Sequence, residues 1–96
     1  MNNIECVKAA AFNLERAAHD SSKHAEFGMY AALRFISTAL HKCSIIPNKL
    51  LQIARHRLMM LICNLDDNWN MVRYDLIRLS GLLKATIYHM ESSIIH

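Results

Sequence analysis

The sequence predicts an all-α fold, a small antiparallel four-helix bundle. Three observations carry that expectation: the chain of 96 residues holds only two glycines and one proline, 53% of it is hydrophobic, and its apolar residues recur at alternating spacings of three and four. Ninety-six residues suffice for one hydrophobic core without disulfides or metal, so residues 1–96 read as a single helical domain. A three-helix arrangement with one fused break is the runner-up.

Helix one is expected from about Asn3 to His19, because Ile4, Val7, Ala11, Leu14 and Ala18 fall on one stripe. Asn2 and Glu5 suit its start: the Asn2 oxygen can accept from a free first-turn amide, and Glu5 opposes the positive end of the helix dipole. Asp20, Ser21 and Ser22 form the first break, since their short polar side chains compete for backbone hydrogen bonds. Helix two follows from about Lys23 to Cys43 with Met29, Leu33, Ile36, Leu40 and Cys43 as its core face, while Gly28 either weakens its first turns or permits close packing.

Pro47, the only proline, ends helix two and suits the first turn of helix three, where no amide proton is needed. Helix three, about Pro47 to Leu65, carries Leu51, Ala54, Leu58, Leu61 and Leu65, with Leu50 and Ile62 widening the stripe. Asp66, Asp67 and Asn68 then cap a fourth helix, about Asn68 to Ser92, whose inner face is Val72, Leu76, Leu79, Leu83 and Met90. Short breaks between helices of similar length favour an up-down-up-down order.

Assigning these stripes leaves a surplus of large apolar residues: Phe12, Phe27, Tyr30, Phe35, Ile45, Ile46, Met59, Met60, Tyr74, Tyr88, Ile94 and Ile95. Part of this surplus widens the core faces, and isolated surface apolar residues are ordinary. Phe35 and Ile36 diverge by about 100°, as do Met59 and Met60, so helices two and three are apolar on more than one face. A second apolar face implies a groove for another protein or a self-contact. The candidate protein-binding residues are therefore Phe35, Met59, Met60, Tyr74 and Tyr88, aromatic and methionine side chains that offer large, adaptable contact area.

Charge and cysteine usage narrow the setting without naming a chemistry. A net charge of +3 with dispersed basic residues favours anionic partners only weakly. The three cysteines are odd in number and lack C-x-x-C spacing, so a reducing cytoplasm is expected rather than a disulfide framework. No apolar run is long enough to insert into a membrane, and no basic segment precedes an apolar leader.

The six histidines form neither an H-E-x-x-H pair nor a compact ligand set, and no metal or cofactor is expected. Cys6, His41, Cys43 and His89 would all lie towards one end of the bundle, which leaves a nonlocal metal site as an open question. Asp66 and Asp67, adjacent on a helix, diverge too far to act as paired carboxylates and serve better as caps. With neither a Gly-x-Ser-x-Gly turn nor a glycine-rich phosphate loop, no catalytic residue is assigned and the chain is expected not to be an enzyme.

Two further patterns define alternatives. Lys49, Arg55 and Arg57, with His56 between the arginines, form the densest basic spot, as a small dimeric regulator binding nucleic acid would require. Arg34 and His41, six residues apart, resemble the Arg-x4-6-His signature of the HEPN family of helical ribonucleases, and the resemblance would imply a ribonuclease using those two residues. Phe35 stands where that family usually has a polar residue, and about one such match is expected by chance in this composition, so the family is not assigned. The leading expectation is a nonenzymatic protein-binding module that sequesters or caps another protein, as a small chaperone, adaptor, inhibitor or immunity-type protein does. A second copy of the chain, in a homodimer, is the other partner considered.

Overall fold

The computed structural model describes the backbone of residues 2–42, 48–65 and 68–95. Four helices account for nearly all of it: α1 (Asn3–Ala18), α2 (Ser22–Lys42), α3 (Asn48–Cys63) and α4 (Trp69–Ile95). The expected break at Pro47, the caps Asp66 and Asp67, and the apolar Cys43, Ile45 and Ile46 lie outside the described residues, as do the side chains of Ile94 and Ile95.

The helices form an antiparallel bundle in which α1 and α3 each pack against both α2 and α4. At about 1.5 Å per residue α4 is about 40 Å long, close to the 43 Å long axis of the molecule. Asn2 caps α1 as expected, its Oδ1 accepting from the Glu5 amide at 2.8 Å. The Asn68 Oδ1 accepts from the Met71 amide at 3.4 Å at the head of α4, a longer and weaker contact. At the first break, the Ser21 carbonyl accepts from the amides of His24 and Ala25 and starts α2.

Alanine and glycine determine how α1 meets α2. Ala25, Ala32 and Ala39 recur every seven residues on α2 and are fully buried, as are Ala10 and Ala17 on α1. Gly28 sits in the same seam, where a Cβ would stand 3.0 Å from the Asn13 backbone oxygen and 3.1 Å from the Ala17 Cβ. Of the two roles considered for Gly28, close helix packing is the one observed. Of the stripe expected on α2, Met29 and Ile36 are fully buried, and Leu33 and Leu40 pack against the core, partly buried, beside the alanine line.

The α1/α4 contact carries two surface ion pairs beside its packing. Lys8 Nζ lies 3.0 Å from the Glu91 carboxylate, and Lys84 pairs with Glu15 one heptad further along both helices. The sign of each partner is reversed between the two pairs, and the residue numbers rise on α1 as they fall on α4, as an antiparallel register requires. One turn before Lys84 on α4, the buried Ser80 hydroxyl donates to the Ala11 carbonyl at 3.3 Å. Thr86, also buried, returns its hydroxyl to the Leu82 carbonyl of its own helix at 2.9 Å, which leaves an apolar methyl for the core.

Helix α3 is the most thinly anchored. Among the described residues its fully buried side chains are Leu51, Ala54 and Leu58, while Leu61 and Ile62, and Leu65 just beyond its end, pack at the core's edge. Arg55 Nε donates to the Ser37 hydroxyl at 3.1 Å, tying α3 to α2 at the surface.

Candidate protein-binding surface

Because neighbouring residues on a helix point about 100° apart, Met59 and Met60 face opposite flanks of α3. Met59 lines a cleft of about 540 Å³ between α2 and α3, together with Ser37, Leu40, His41, Gln52, Arg55 and His56. Met60 lines a cleft of about 410 Å³ between α3 and α4, with Leu61 and Leu79 as its apolar walls and His56, Arg57, Asp75 and Arg78 around them. His56 borders both clefts. Met60 is 51% exposed and Met59 41%, so each methionine offers contact area without leaving the protein surface.

The remaining candidates separate along the bundle. Tyr74 is 68% exposed, and the Arg78 guanidinium carbon lies 6.0 Å from its ring centroid. That contact joins Tyr74 to the rim of the α3/α4 cleft. Tyr88 is 71% exposed but lies fourteen residues further along α4, its ring edge-on to His89 with centroids 6.0 Å apart. Phe35 is partly buried against the core and lines a small recess with Ala31, Arg34 and Thr38. Of the five candidates the structure therefore places Met60 in the α3/α4 cleft and Tyr74 beside Arg78 at its rim, with Met59, Tyr88 and Phe35 elsewhere.

The basic residues divide in the same way. Arg55 turns to the α2 side of α3, where it meets Ser37, while Arg57 lines the α3/α4 cleft with Arg78. Lys49 is exposed two turns earlier. Arg55 and Arg57 therefore face different flanks of α3. Neither Arg57 nor Arg78 has a carboxylate within ion-pair distance among the described residues, whose ion pairs are Lys8–Glu91 and Glu15–Lys84.

Sequence reading omitted three exposed apolar residues, Ile53, Met71 and Ile77, and it did not anticipate the pairing of Arg57 with Arg78 across a cleft. Met71, Tyr74 and Ile77 recur every three residues, away from the buried line of Val72, Leu76, Leu79 and Leu83. A count of both faces of helix four would have exposed that second stripe. The Arg57–Arg78 pairing depends on how two helices align, which no local spacing encodes.

Few of the groups considered for chemistry meet. Arg34 and His41 are both exposed on α2 but line different recesses. Of the residues considered for a nonlocal metal site, Cys43 lies outside the described residues, Cys6 is buried and His89 is exposed. Among the described residues no three His, Cys, Asp or Glu side chains form a group able to hold a metal ion, and no helix is long and apolar enough to cross a membrane. No protein-family model, curated protein or solved structure matches the chain.

Proposed function

We propose that this protein is a nonenzymatic binding module that sequesters or caps another protein, in the manner of a small chaperone, adaptor, inhibitor or immunity protein, and that the α3/α4 cleft is its contact surface. One observation carries the reading: the half-exposed Met60 lines the cleft with Leu61 and Leu79, and the exposed Tyr74 lies against Arg78 at its α4 rim. An aromatic and a methionine beside an apolar recess, ringed by polar groups, have the make-up of an interface centre with its rim. The free thiols of Cys6 and Cys63 accord with a reducing compartment such as the cytoplasm.

Nucleic-acid binding is the weaker reading, because Arg55 and Arg57 lie on opposite flanks of α3. The test is copurification from the native cell with tagged wild-type protein and with a Met60→Ser/Tyr74→Ser variant. Both positions are exposed, so the variant should keep its helical circular dichroism and melting temperature. A partner that elutes in fixed ratio with the wild type and is lost from the folded variant is the expected result. No partner, or one retained by the variant, overturns the reading. A concentration-dependent dimer by light scattering that breaks in the variant would assign the surface to a second copy.

A further inference from the structure

We propose that the occupant of the α3/α4 cleft is an acidic amphipathic helix of the partner protein, an inference that rests on the protein-binding reading and specifies the chemistry of its ligand. The cleft has three properties that together select such a segment. Its walls are apolar, formed by Leu61 and Leu79 with Met60. Its volume of about 410 Å³ accommodates a few side chains rather than a folded domain. Its rim is cationic, with Arg57 on α3 and Arg78 on α4 facing the recess, and neither guanidinium has a carboxylate partner among the described residues.

A groove between two helices is the usual seat for the apolar stripe of a third, with anchor residues spaced by three and four. Carboxylates flanking that stripe would meet the guanidiniums of Arg57 and Arg78, planar donors suited to paired hydrogen bonds with a carboxylate. Asp75 borders the same recess and sets a limit on the ligand's charge. It would repel the closely spaced phosphates of a nucleic acid, whereas a peptide can place its acidic residues at Arg57 and Arg78 and leave a neutral residue at Asp75. The charge balance along the cleft therefore favours a peptide over a polynucleotide.

Fluorescence anisotropy with the full chain and three synthetic probes tests the assignment. The probes are helical peptides about 18 residues long, or five turns, with one leucine stripe and a polar face of Glu, Gln or Lys. At low salt the Glu peptide is expected to bind roughly tenfold more tightly than the Lys peptide, with the Gln peptide between them, and the gap should shrink as salt is added. Reversing both rim charges, Arg57→Glu with Arg78→Glu, should invert the order. If that variant loses its helical circular dichroism, Arg57→Gln with Arg78→Gln serves instead and should abolish the preference.

Equal binding of the Glu and Gln peptides, a Glu preference that survives charge reversal, or no binding of any probe overturns the inference. So does a single-stranded oligonucleotide that displaces the Glu peptide at a lower concentration than unlabelled peptide does. These outcomes are separable from failure of the protein-binding reading. If a cellular partner is lost from Met60→Ser/Tyr74→Ser while the probes show no charge preference, the interface stands and its acidic ligand does not.

Discussion

The two glycines offer an internally controlled test of how α1 and α2 pack. Both lie within helices, where replacing Gly by Ala reduces the freedom of the unfolded chain and favours the helix by about 1 kcal/mol. At Gly81 nothing lies within 4 Å of an added Cβ, so that gain should appear undiminished. At Gly28 the same methyl would stand 3.0 Å from the Asn13 carbonyl oxygen and 3.1 Å from the Ala17 Cβ. Neither atom is the end of a flexible side chain: one belongs to the α1 backbone, and the other is the whole side chain of a buried alanine. Relief requires α1 to shift, and overpacking of this kind costs about 1–3 kcal/mol. The expected net effect of Gly28→Ala is therefore a loss of about 1 kcal/mol, against a gain of about 1 kcal/mol for Gly81→Ala. In a domain of this size each kcal/mol moves the melting temperature by about 4–8 °C, so the two variants should melt about 8–16 °C apart. Thermal unfolding followed by circular dichroism reads this directly. A Gly28→Ala protein that melts at or above Gly81→Ala would refute the close-packed seam.

Other perturbations test the remaining contacts. Leu58→Ala, at the best-buried part of α3, should cost about 2–5 kcal/mol in urea unfolding, because a fully buried side chain leaves a cavity that α3 only partly fills. Lys84→Glu should destabilise by under about 1 kcal/mol, since both partners are half exposed, and adding Glu15→Lys should restore most of the loss; two losses that simply add would show that the pair does not set the α1/α4 register. Asn2→Ala should cost about 0.5–2 kcal/mol by removing the acceptor for the Glu5 amide, a loss that Asn2→Asp should largely avoid.

Much of the fold was legible because the apolar stripes of helices one, three and four follow helical spacing closely. Val7, Leu14, Leu51, Leu58, Leu76 and Leu83 are all fully buried where that periodicity placed them. Helix two was less legible because side-chain volume is a poor guide where backbones approach closely. There Ala25, Ala32 and Ala39 take innermost positions alongside Met29 and Ile36, while Leu33 and Leu40, of similar size to those two, are only partly buried. The surplus of apolar residues was legible as a quantity, and Tyr74 and Tyr88 are indeed exposed. Its grouping was not, because Met60 reaches one cleft and Met59 another only through the way α3 rests between α2 and α4. Phe35 shows the same limit: its type suits an interface, yet its position on α2 turns much of the ring towards the core.

The slender anchorage of α3 gives the protein a means of converting occupancy into order. A helix held mainly by Leu51, Ala54 and Leu58 is the part of the bundle whose backbone amides should exchange with solvent soonest, through local openings that leave α1 and its neighbours in place. Both clefts use α3 as a wall, so a ligand seated in either one exists only while that helix is docked. At a ligand concentration of about one hundred times the dissociation constant, mass action would add about 2.7 kcal/mol to the free energy of releasing α3. Slowed exchange confined to residues 48–63 would then report binding from either flank, and the two clefts would communicate through the helix they share.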